Sequence, residues 1–143
     1  MTKEELVLAS LSPANGTPHG PVQVQKLLFL IDRNLSELIG GPYFHFAPYH
    51  YGPFDKEVYS TLDVLAGNGG VQIDCAGGYR CYRLTVTGQQ AGEKALETLP
   101  EAAGKYIRAA SSLVRSLSFG QLVSAIYKAY PEMRVNSVFR EDQ

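Results

Sequence analysis

Between Gly41 and Asp55 the sequence GPYFHFAPYHYGPFD admits few folds. Pro42, Pro48 and Pro53 withhold amide donors, which bars the stretch from a helix interior or a central strand. Tyr43, Phe44, Phe46, Tyr49, Tyr51 and Phe54 fall here, out of nine Tyr and six Phe in the chain, together with His45 and His50 of the three His. Tyr43-Phe44-His45-Phe46 reads as a strand and Tyr49-His50-Tyr51 as its continuation, an edge or bulged strand because of Pro48. Gly52-Pro53 turns the chain. Asp55 is then an N-cap, with Phe54 and Tyr59 spaced for a hydrophobic staple. Val58, Leu62, Leu65 and Ala66 give the following helix its buried face, and Gly67-Asn68-Gly69-Gly70 stops it.

The other elements are punctuated clearly. Thr2 with Glu5 matches a capping box, which predicts a helix from Thr2 to Leu11. Ser12 to Pro21 reads as a loop on its Pro and Gly content. Val24, Leu27, Leu28, Ile31, Leu35 and Leu38 then form one helical stripe, widened by Phe29 and Leu30, with Gln25, Arg33, Ser36 and Glu37 placed away from it. Val71–Cys75 and Tyr79–Leu84 alternate around Ala76-Gly77-Gly78, a β-hairpin whose turn needs positive φ. Thr87 with Gln90 predicts a capping box for the next helix. Pro100 opens another, carrying Ile107, Ala110, Leu113, Val114 and Leu117. Ser118 with Gln121 caps a last helix through Phe119, Leu122, Val123, Ile126, Tyr127 and Tyr130. After Pro131 the stretch to Gln143 is short and partly apolar; it either docks or frays.

A chain of 143 residues is expected to form one domain, with a core over residues 1–99 and a helical extension over 100–143 packed on it. The formal net charge of −1 gives no general attraction to nucleic acid. No apolar run reaches the ~20 residues of a membrane span, and the acidic start is unlike a signal peptide. The reading is therefore a cytoplasmic protein, without membrane association, whose Cys75 and Cys81 are free thiols. A helix feeding a two-stranded hairpin is the arrangement of a winged helix. The fold class expected is thus α+β: a mostly helical, winged-helix-like domain with a small β-hairpin wing and a C-terminal helical extension.

Two segments, QKLLFLID (Gln25 to Asp32) and PYHYGPFDKEVYSTLDVL (Pro48 to Leu65), resemble the Panacea-type domain and its winged-helix relatives in bacteria and prophages. The match extends to a Tyr-x-Leu-Thr-x-x-Gly segment at Tyr82 to Gly88, to Tyr130-Pro131 and to Asn136-Ser137. The resemblance implies an antitoxin that neutralises a toxin encoded beside it by binding.

Tyr49-His50-Tyr51-Gly52-Pro53 serves either as a rigid corner over the core or as an aromatic surface gripping a partner. His45 and His50 are separated by an odd number along a strand and fall on opposite faces, so no metal is expected. A recognition helix from Asp55 would carry Asp55, Glu57 and Asp63 against Lys56, the wrong charge for phosphates. No nucleophile elbow, phosphate loop or metalloprotease motif occurs, so no enzyme activity and no cofactor is expected. The reading is a protein-binding module. Its predicted partner surface comprises Tyr43, Phe46, Tyr49, His50, Tyr51 and Phe54, with Arg80 and Arg83 at the rim. A winged-helix DNA-binding regulator is the alternative, and a homodimer is compatible with both.

Overall fold

The capping residues set most helix starts where the sequence places them. The structure, a computed structural model, describes residues 1–140. Thr2 and Glu5 exchange both hydrogen bonds of a capping box at the head of α1 (Lys3–Leu11). Pro21 occupies the first turn of α2 (Pro21–Ile39), and Gly40 ends it with a positive φ of 78°. Asp55 caps α3 (Lys56–Gly67) through the Glu57 amide. Ser118 and Gln121 form the capping box of α6 (Phe119–Ala129), while α5 (Glu101–Ser116) begins directly after Pro100.

One start is displaced. The cap of α4 (Val86–Glu97) is Thr85, two residues before the predicted Thr87. Its hydroxyl accepts from Gly88 and donates to the Gly69 carbonyl, so it caps the helix and ties it to the end of α3 together. Thr87, two residues further on and inside the helix, lies exposed.

Strands β3 (Val71–Ala76) and β4 (Tyr79–Leu84) pair antiparallel with Ala76 opposite Tyr79. Gly77 and Gly78 make the two-residue turn with φ of 58° and 84°, which suits the twist of a hairpin. His19, in the predicted loop, exchanges two backbone bonds of 2.8 Å with Tyr82 and extends this sheet by one bridge. Cys75 and Cys81 are free thiols on the two arms.

The predicted strand over Tyr43 to Phe46 does not form. The extended pairing there is instead a small hairpin, β1 (Ala47–Tyr49) with β2 (Gly52–Phe54), in which Pro48 faces Pro53. The molecule is therefore α+β, with six helices and two small antiparallel hairpins among the described residues.

Helix α2 is the axis of the core. Every residue from Val24 to Asp32 is buried, polar ones included. It packs against α5, whose Ile107, Ala110 and Val114 are buried in the same core, and also touches α6 and β2. Helices α1 and α4 form a second pair, with Gly92 set directly against the Leu8 carbonyl. The predicted stripe ends differently: Leu38 is exposed and Ile39 takes the core position. The C-terminal residues dock. Phe139 is buried, the Val138 amide donates to the His50 carbonyl, and Asn136 donates to that of Pro48. The last residues of the predicted dock-or-fray stretch, 141–143, lie outside the described residues.

Candidate functional site

A strand satisfies its backbone through neighbours in a sheet. The stretch from Tyr43 to Asp55 satisfies much of its own through side chains of buried polar residues, mostly on α2. Asp32 accepts from the amides of Tyr43 (2.8 Å) and Phe44 (3.1 Å). Asp55 accepts from the His45 amide (2.7 Å). Gln25 clasps Asp55 from both sides, accepting from its amide and donating to its carbonyl, each at 3.0 Å. Lys26 donates to the Pro53 carbonyl (3.2 Å). The far end of the chain completes the hold: Ser137 donates to the His50 carbonyl and accepts from the Tyr127 hydroxyl at 2.6 Å.

These anchors leave Tyr49, His50 and Tyr51 exposed and Phe54 half-buried, and the rings form a continuous row. His50 stacks on Tyr49 with centroids 4.2 Å apart, Tyr49 leans on Phe54 at 5.2 Å, and Phe54 meets Tyr59 edge-on at 5.7 Å. Beneath them lies a cavity of about 190 Å³, with Lys26, Gln25 and Gly52 in its lining. Tyr51 stands on its other side, edge-on to Phe119 at 5.2 Å. Tyr51 and Val22 also wall a larger groove of about 650 Å³ between the start of α2, strand β4 and the junction of α5 with α6. Tyr79, Leu117, Phe119 and Leu122 line it. Tyr79 is 72 % exposed, Tyr49 50 % and Phe119 48 %, so this face offers rings to solvent on a rigid frame. No protein-family model matches this chain, and no curated protein matches it.

The eight predicted partner residues separate into groups. Tyr49, His50, Tyr51 and Phe54 surround the Lys26 cavity. Tyr43 and Phe46 sit elsewhere. The Tyr43 hydroxyl donates to the Ile39 carbonyl, and Phe46 packs edge-on against Phe29 at the core margin. Burial, followed by the charge of Asp32, raises the Tyr43 phenol above its ordinary value. Arg80 lines the groove and pairs with Asp63 of α3 at 3.5 Å. Arg83 points to the opposite face of the hairpin and pairs with Asp74 at 3.1 Å. The predicted rim of two arginines is therefore a single one.

Gln25, Lys26 and Asp32 are the residues that sequence reasoning missed. Gln25 falls off the apolar stripe by helical spacing, yet it is 1 % exposed. A signal exists: these polar residues interrupt a helix so apolar that its arc leaves no wet side between Val24 and Asp32. Polar groups buried in such a run must find partners. Among the described residues no group of three His, Cys, Asp or Glu could hold a metal ion, and no helix is long and apolar enough to cross a membrane.

Proposed function

We propose that this protein is a binding module for another protein, a toxin-neutralising antitoxin or an adaptor of that kind, acting through the ring-lined groove and not through catalysis. The observation that carries the reading is the open groove bordered by Tyr51, Tyr79 and Phe119. Exposed aromatics on a frame held by buried hydrogen bonds supply contact area with little ordering cost, which is how interface anchors derive their energy. Lys26, which no carboxylate among the described residues pairs with, lies beside the rings, and this favours a partner segment combining apolar anchors with an acidic residue. The resemblance of the QKLL and YGP segments to Panacea-type domains supports the same class. The two segments also meet in space, where Lys26 packs on Gly52 and holds Pro53.

The electrostatics of α3 weigh against the DNA reading. Glu57 and Asp63 are exposed on that helix, and the wing's Arg80 is engaged by Asp63. The test is capture from a native host under nuclease, followed by reconstitution of the purified pair. Tyr49→Ala with Tyr51→Ala should abolish a stoichiometric complex by size-exclusion chromatography while leaving Tm within a few degrees. A large drop in Tm would mean that these rings are core. Retention of nucleic acid, with a steep salt slope, would favour the regulator instead.

A further inference from the structure

Lys26 is 3 % exposed, and a buried ammonium is stable only when its charge and its three donors are met. Here they are not. The amine donates to the Pro53 carbonyl at 3.2 Å, and among the described residues no carboxylate forms an ion pair with it. Gly52 maintains the arrangement: a Cβ there would lie 3.4 Å from Lys26 Cε and 3.3 Å from the Tyr127 ring. Burial pushes the amine down to about 7, as expected for a cation without a counter-charge.

The space beside that amine is equally specific. The cavity measures about 190 Å³, below the roughly 300–1,000 Å³ typical of sites for drug-sized ligands. Its walls are the rings of Tyr49, His50, Tyr51, Phe54 and Tyr59, and no Asp or Glu lines it among the described residues. A phosphate needs several convergent donors, whereas a single amine among rings suits one carboxylate on an apolar stem.

We propose that the Lys26 cavity is a binding site for a carboxylate borne on an apolar or aromatic stem, the carboxylate pairing with the Lys26 amine and the stem lying against Tyr49, Phe54 and Tyr59. The shared wall at Tyr51 and Val22 places this site at the side of the larger groove, so an acidic side chain of a protein seated there can enter it. That source rests on the protein-binding reading above; a free carboxylic acid is the other source of the same chemistry.

The test uses the full chain labelled with 13Cε-lysine, titrated with 3-phenylpropionate and separately with its neutral amide. The Lys26 signal is identified by loss in Lys26→Arg and, without any substitution, by nuclear Overhauser contacts to the Tyr127 ring. A saturable shift of that signal with the acid, at least about tenfold tighter than with the amide, is expected for a charge-assisted contact. No shift, or equal affinity for acid and amide, would overturn the site. The acid is then added to the captured protein complex. Release of the partner assigns the site to a partner carboxylate; acid binding without release assigns it to a free acid. Failure to capture any protein would remove the binding-module reading and leave the NMR result standing.

Discussion

At the scale of single residues, the decisive feature is that α2 carries its polar side chains inward. Gln25 and Lys26 are neighbours in sequence, and both reach the turn from Pro53 to Asp55. Lys26 also makes stability depend on pH. Its folded pKa is lowered from 10.5 to about 7, so between these values the unfolded chain holds a proton that the native chain does not. Stability therefore rises with pH across that window. Chemical denaturation midpoints of the wild type should climb from pH 7 to pH 9.5, and Lys26→Met should flatten the slope. The window stops short of the tyrosines, because burial raises the phenols of Tyr59, Tyr82 and Tyr106 and their ionisation favours the unfolded chain at higher pH. None of this was legible from periodicity. A helical wheel ranks positions by apolar neighbours and assigns Gln25 to solvent, whereas a backbone loop crossing the helix gives that amide two partners.

At the scale of elements, caps and turn glycines were legible because they act locally. The Thr2, Asp55 and Ser118 caps and the Gly77-Gly78 turn each satisfy their own neighbours. The strand expected at Tyr43 to Phe46 was not, since its aromatic run has high β-propensity but its amides bind Asp32 and Asp55 instead of a ladder. The pairing of α4 with its neighbours was also invisible. A Cβ on Gly88 would fall 1.8 Å from the Gly70 carbonyl oxygen, and one on Gly92 2.4 Å from that of Leu8. Both contacts are with backbone and cannot rotate away. Gly88→Ala and Gly92→Ala should each destabilise by about 3 kcal/mol or more, as overpacking against fixed atoms does. Gly67→Ala is the control: its Cβ meets nothing within 4 Å, and the change should stabilise α3 by about 0.5–1 kcal/mol in the same denaturation series.

At the scale of the whole molecule, α2 is the element most others meet, since α1, α3, α5, α6, β2 and β4 all contact it. Amide hydrogen exchange should show this as a hierarchy. The amides of Leu28 to Asp32 should exchange only through global unfolding, whereas Gly77, Gly78 and the short β1–β2 pair should exchange through local opening; equal protection of both sets would contradict a core centred on α2. The Pro48–Pro53 register has a wider consequence. Neither proline offers an N–H, the Pro48 carbonyl is taken by Asn136, that of Pro53 by Lys26, and that of His50 by Val138. A hairpin with its flanks blocked in this way cannot lend an edge to a passing strand. The rings carried by this hairpin can thus stay exposed without its strands templating fibrils, and a ligand meeting them there would be chosen by the shape and charge of side chains and not by pairing with β1 or β2.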